Sequence, residues 1–190
     1  MKSTEPDKSL YPVTLGGAAC RYPEQEVEGT AVVRDGEPYV RIRNVDRMDP
    51  FFMSVVSDSD HWLFVGSNGP FTAGRTDPDR ALFPYQNVDK ILRHADTSGS
   101  MSIFLVGGAG NWARWEPWST SGEVYRLERN LYKHAHGTSV IFEEINHNLG
   151  LRFVYTLSAS EPYGFVRSCR LENLGEEPVP VRYLDGWHNL

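Results

Sequence analysis

The chain has 190 residues, 40% of them hydrophobic and 23% charged, with five Trp and nine Tyr. That is the composition of a soluble globular chain with enough apolar mass for a core, and it excludes a disordered polypeptide. The formal net charge of -6 and the sequence pI near 5.5 come with no basic stripe, so a nucleic-acid or anionic-membrane surface has no electrostatic basis.

Residues 1–9 are polar and read as a disordered lead-in, and 10–190 read as one domain. The start Met1-Lys2-Ser3-Thr4-Glu5 lacks the apolar core of a secretory signal, and no apolar run reaches membrane-spanning length. A cytoplasmic protein is expected, or one from which a leader has been removed. Cys20 and Cys169 match no metal-ligand spacing; they read as two reduced core thiols, with a disulfide as the alternative.

Short strand-like runs follow one another. Residues 30–34 and 39–43 flank Asp35-Gly36, the strongest short hairpin signal. Runs at 51–56 and 61–65 are separated by Ser57-Asp58-Ser59-Asp60. The run 101–106 is continuously apolar, which suits a strand buried on both faces. Residues 87–95 place Val88, Ile91, Leu92 and Ala95 at helical spacing, with Asn87 as the cap and Gly99 beyond. In 151–157 the residues Leu151, Phe153, Tyr155 and Leu157 alternate with Arg152, Val154 and Thr156, the period that gives a sheet one core face. A strand at 165–171 and another at 179–183 follow; Pro180 points to an edge position in the latter. These elements predict an all-β, antiparallel β-sandwich with one short helix. The chain stops at Asn189-Leu190 straight after a strand-like run, with no polar tail, and reads as the front part of a longer protein.

Three segments carry candidate chemistry. The polar, glycine-rich stretch 66–90 contains Arg75, Asp77 and Arg80, which could clasp a polyol through paired hydrogen bonds. Arg75 could also hold a phosphate or carboxylate. The alternative is an ordered Ω-type loop whose Arg–Asp pairs hold its own shape. The segment Asn111-Trp112-Ala113-Arg114-Trp115-Glu116-Pro117-Trp118 offers Trp112, Trp115 and Trp118 as a stacking surface for sugar rings, against the alternative that two of the three fill the core. His134 and His136 share strand parity near Glu143, Glu144 and His147, but two surface histidines explain them without a metal. No nucleophile elbow and no cysteine nucleophile signature occurs, so no catalytic residue is assigned.

The run Phe71-Thr72-Ala73-Gly74-Arg75 through Ala81-Leu82-Phe83-Pro84-Tyr85, followed by Asp89-Lys90, resembles large bacterial proteins of the glycoside hydrolase family 94 type. These are cellobiose-phosphorylase-like enzymes, formerly grouped as glycosyltransferase family 36. The later pattern is similar to the amino-terminal domain of the same family: Tyr163-Gly164-Phe165-Val166-Arg167, then Leu171-Glu172-Asn173-Leu174, a strand at 179–183 and Asp185-Gly186. The resemblance covers residues 49–190 and is looser before them. It implies a galactose-mutarotase-like supersandwich, lacking strands at this length, that supports dimerisation and helps to wall an active site. The catalytic acid would lie in a downstream (α/α)6 barrel, with inorganic phosphate as co-substrate in a phosphorylase and no other cofactor.

Three functions are therefore weighed. The first is a non-catalytic carbohydrate-binding and assembly domain of a phosphorylase or hydrolase acting on β-glucosides. The second is an independent mutarotase-like aldose epimerase using His61 or His188 with a carboxylate. The third is a stand-alone carbohydrate-binding module.

Overall fold

The computed structural model describes residues 10–15, 18–23, 25–108, 110–119 and 124–188. The lead-in expected at 1–9 lies outside them, as do Asn189 and Leu190. The described residues form an antiparallel β-sandwich. Strands β1 (Leu10–Leu15) and β2 (Ala18–Pro23) make a separate hairpin. One layer of the sandwich is a six-stranded sheet in the order β13-β12-β11-β10-β4-β3. Its members are β3 (Glu28–Arg34), β4 (Glu37–Arg43), β10 (Leu127–His134), β11 (Ser139–Asn146), β12 (Leu151–Ser160) and β13 (Gly164–Asn173). The opposing layer is built from two three-stranded sheets. One is β5 (Phe52–Val55), β6 (His61–Gly66) and β7 (Phe71–Arg75); the other is β14 (Val181–His188), β8 (Gly99–Gly108) and β9 (Asn111–Trp115).

Local chemistry explains much of this. Asp35 and Gly36 both have positive φ, 52° and 85°, as a two-residue hairpin turn between twisted strands requires. In β12, Leu151, Phe153, Tyr155 and Leu157 are all buried on one face. Their partners across β11 include Phe142, stacked on Tyr155 at 4.7 Å, and Val140. The opposing layer supplies Met53, Leu63, Val65, Phe71 and Phe104 to the same core, and Phe104 meets Phe153 edge-on at 5.1 Å between layers. The far face of the six-stranded sheet carries a smaller cluster of Tyr132, Ile141 and Val154.

Four expectations need correction. The helix predicted over 87–95 is a single turn, α1 (Val88–Ile91), and Asn87 makes no side-chain capping bond. The 101–106 run is buried on one face only: Ser102, Phe104 and Val106 point inward while Leu105 is exposed. The last strand does not span 179–183 but begins after Pro180, whose carbonyl accepts the Gly107 amide at 3.0 Å, and runs on to His188, at the edge position that Pro180 suggested. Cys169 is an exposed free thiol on β13, not a core residue. Among the described residues no helix is long and apolar enough to cross a membrane.

Candidate functional site

The 66–90 stretch is less loop-like than its composition suggests. Its middle is β7, in which Phe71, Thr72, Ala73 and Gly74 are all buried. The chain then folds back on that strand: Leu82 donates to the Ala73 carbonyl at 2.9 Å, and Gly74 bridges Ala81. A Cβ at Gly74 would lie 2.4 Å from Trp62 and 2.8 Å from the Arg80 carbonyl oxygen, so this glycine is a packing requirement. Asp77 caps the short 3-10 turn Pro78–Arg80 by accepting the Asp79 amide at 3.1 Å, and Arg80 lies 3.8 Å from Asp77. This pair holds the shape of the turn.

Arg75 has a different setting. It stands at the exposed end of β7 and grips Asp60 with three hydrogen bonds, two from Nη2 at 3.0 and 3.1 Å and one from Nε at 3.2 Å. Those bonds hold the Asp60 carboxyl below the usual aspartate range. The fork is thereby neutralised, and Arg75 is also one of the residues lining a cleft of about 390 Å³. The cleft lies beside the β12–β13 turn and is walled by His61, Glu161, Tyr163, Phe165 and Trp187 as well.

His61, Phe165 and Trp187 are held by their neighbours. His61 Nδ1 is 2.7 Å from the Ser59 hydroxyl, which is 2.7 Å from the Ser57 hydroxyl. The other ring nitrogen lies over Gly164; a Cβ there would sit 3.2 Å from His61 Nε2, and the backbone φ of 72° also calls for glycine. Phe165 meets the His61 ring edge-on at 5.3 Å. Trp187 packs against Phe71 at 5.1 Å and Phe83 at 5.7 Å, with the Arg167 guanidinium 5.4 Å from its ring centre. Arg167 in turn joins the two layers. It donates to Asp185 Oδ2 at 2.6 Å and to the Ser102 hydroxyl at 2.8 Å, and Ser102 donates to Asp185 Oδ1 at 2.6 Å. Partial burial raises the Asp185 carboxyl, but these bonds outweigh it and hold the group below its ordinary range. Tyr163 is the contrast: at 82% exposed it forms a free lip.

The three tryptophans do not share a surface. Trp115 is 0% exposed and Trp118 8%, so Trp115 has no face to offer a ligand. Their indole and backbone groups are taken up by Glu144. Trp112 is half-buried on β9 beneath the Arg182 guanidinium, 4.7 Å from the ring centre. Trp118 lines a second cleft of about 350 Å³, together with Arg114, Glu116 and His188. Adjacent residues Trp187 and His188 thus serve opposite sides of β14. His134 is buried between Thr138, at 2.7 Å, and Glu37, at 3.2 Å, while His136 lies in the turn beyond β10. Among the described residues no three His, Cys, Asp or Glu side chains converge as metal ligands would.

Sequence reasoning brought Arg75 and His61 forward but missed Glu161, Tyr163, Phe165 and Trp187 as parts of one wall. The signal was present in Tyr163-Gly164-Phe165, two aromatic residues around a glycine that must turn the chain. No protein-family model matches this chain, and no curated protein sequence matches it.

Proposed function

We propose that this chain is a carbohydrate-binding and assembly domain of a larger carbohydrate-active protein, and that the cleft beside Tyr163 holds one uncharged sugar ring. The observation that carries the reading is the composition of that wall: Tyr163, Phe165 and Trp187 supply apolar surface, while His61 and Glu161 supply a few polar groups. Sugars have apolar ring faces and polar rims, and a concave site of this mixture suits them. A neutral ligand is favoured over a phosphate or carboxylate because Asp60 already occupies the Arg75 fork. The resemblance of residues 71–90 to family 94 proteins supplies the wider setting: a β-glucoside phosphorylase or hydrolase, a downstream (α/α)6 catalytic domain and a homodimer. A cytoplasmic location fits the free thiol of Cys169.

Titration of the purified chain with cellobiose and longer cello-oligosaccharides tests this. Millimolar binding that leaves Trp fluorescence or amide shifts changed around Tyr163, is abolished by Tyr163→Ala, and is indifferent to inorganic phosphate is the expected result. Phosphorolysis of a β-glucoside by this chain alone would overturn the non-catalytic part of the reading.

A second reading has one specific observation in its favour: His61 and Glu161 line the same cleft. Anomer exchange of an aldose needs one group to take the anomeric hydroxyl proton and another to protonate the ring oxygen. Polarimetry on fresh α-D-glucose decides it; acceleration lost in His61→Ala would support an epimerase, and an unchanged spontaneous rate would remove it.

A further inference from the structure

We infer that Arg34 and Arg41, on the far face of the six-stranded sheet, hold a tetrahedral oxyanion between their guanidinium groups. Both residues stand on the β3–β4 hairpin. The register puts Thr30, Arg41, Tyr132 and Ile141 in one row across four strands of that face. Arg34 lies four residues beyond Thr30 on β3, an even spacing that keeps it on the same face.

The sheet curls over this face. Arg34 on β3 is three strands away from Glu143 on β11, roughly 14 Å in a flat sheet even before their offset along the strands. Arg34 Nη1 nevertheless lies 3.8 Å from Glu143 Oε2, and its guanidinium carbon is 4.9 Å from the centre of the Tyr132 ring. The hairpin therefore folds back across Tyr132. From the other side, Arg152 on β12 brings Nη1 to 3.8 Å from the same oxygen. The hollow so formed holds Asn130, Tyr132 and Glu143, all buried although they point away from the sandwich core.

Charges in this hollow are unevenly matched. Arg43 is paired with Glu128, and Arg152 with Glu172 through its Nε and Nη2. Glu143 is the carboxylate that faces Arg34. Its Oε1 is taken by Asn130 at 3.0 Å and Tyr132 at 2.8 Å, and its Oε2 stands beyond hydrogen-bond range of both Arg34 and Arg152. The Arg34 guanidinium makes no hydrogen bond among the described residues. Arg41 has neither a hydrogen bond nor an ion pair among them, and its Nε is buried without a partner. Both cations bear on the Tyr132 phenol, where they oppose the rise in its pKa. Two guanidiniums near one ring thus share a single carboxylate that is already bonded elsewhere.

That arrangement selects the ligand. A guanidinium takes oxyanions through a rigid fork of N–H donors. A carboxylate has two oxygens and fills one fork, whereas a phosphate or sulfate group has enough oxygens to accept from two forks at once. Such an ion also relieves the repulsion between the two cations, which is stronger where water is partly excluded. The side chain of Arg34 is 25% exposed, so solvent reaches the group. The Arg75 fork, by contrast, is filled by Asp60.

The probes are inorganic phosphate, sulfate and glycerol 3-phosphate, added to the intact chain at neutral pH against sodium chloride of equal ionic strength. Concentrations stay below about 20 mM, where general salting-out is small. An ion that binds only the folded chain raises Tm, by about 3–5 °C at ten times its Kd for a chain of this size. Such a rise is expected with phosphate and sulfate over the chloride baseline. Arg34→Gln and Arg41→Gln should each shift its midpoint to at least tenfold higher concentration. Each variant is read against its own Tm in chloride, so a change in basal stability does not enter. Tighter binding of glycerol 3-phosphate than of phosphate would identify the phosphoryl end of a larger molecule as the ligand, and the reverse a free ion. No rise over chloride, or a rise kept unchanged in either variant, would overturn the inference. The cleft beside Tyr163 contains neither arginine, so the sugar titration and this one fail independently.

Discussion

The Trp115 indole donates to Glu144 Oε1 at 2.6 Å in a place where neither residue reaches solvent. The other oxygen, Oε2, accepts the Trp118 amide and Arg129 Nε, both at 2.7 Å, and Arg129 Nη2 reaches the Ser119 carbonyl at 2.7 Å. One carboxylate from the centre of the six-stranded sheet thus fixes the turn that walls the second cleft. All of its strong hydrogen bonds are charge-assisted or buried, which is the condition under which a buried carboxylate is tolerated.

Replacing Glu144 by Gln should therefore be costly. The amide would turn a donor toward another donor and leave Arg129 without its counter-charge, in a site where its side chain is 15% exposed. A loss of about 3–5 kcal/mol is expected, seen as a fall in Tm of roughly 10 °C. Adding Arg129→Met should restore part of it. A single-variant loss below about 1 kcal/mol would mean that the network is not a stabilising hub.

This network also explains what was legible in the sequence and what was not. Strand β12 could be read directly because its buried residues are apolar and alternate with polar ones. Strands β10 and β11 could not, although they occupy the centre of the same sheet. Leu127-Glu128-Arg129-Asn130 and Phe142-Glu143-Glu144 look like solvated surface, yet Asn130, Glu143 and Glu144 are buried. Their partners come from the neighbouring strand: Asn130 Nδ2 lies 3.0 Å and Tyr132 Oη 2.8 Å from Glu143 Oε1. Pairing across a ladder cancels polarity that hydropathy counts residue by residue. The cleft beside Tyr163 was half legible for a related reason, since its walls come from residues 61, 75, 161–165 and 187 among others, which only the folded sheets bring together.

The Tyr155 hydroxyl is buried and has no hydrogen-bond partner among the described residues, and burial pushes its ionisation far above the ordinary tyrosine range. An unsatisfied buried polar group is a liability of about 1–3 kcal/mol. Tyr155→Phe should keep the stack on Phe142 and the Arg167 contact at 5.3 Å. The variant is expected to match or exceed the parent in urea denaturation, by about 1 kcal/mol. A clear loss of stability would show that the hydroxyl has a partner in solution.

Tyr132 offers a test at alkaline pH. Burial first, then the charge of Glu143 and the hydrogen bond to it, push this phenol to about 12. The unfolded chain titrates near about 10. A folded pKa above the unfolded one gives stability that is complete below about pH 10 and is lost as pH rises through 12. Denaturation midpoints should fall across that window, and Tyr132→Phe should flatten the fall. The slope that remains includes Tyr155, Tyr125 and the Cys169 thiol, whose shifts have the same sign.

Cys169 should be a slow thiol despite its exposure. Burial of the sulfur raises its pKa to about 11, Arg167 opposes that shift, and the nearby Asp185 carboxylate adds to it. Sγ lies 3.9 Å from Asp185 Oδ2. Against an ordinary thiol of about 8.5, the thiolate population at pH 8 falls by roughly 200-fold. A more basic thiolate is a better nucleophile by about tenfold over this range, so alkylation by iodoacetamide should run about 20-fold slower than for a free cysteine peptide. Asp185→Asn removes the neighbouring carboxylate and leaves the Arg167 charge facing the sulfur, so the rate should rise. Mass mapping of the labelled peptide follows Cys169 alone; reaction at the free-peptide rate in the unmodified chain would contradict the burial of the sulfur in solution.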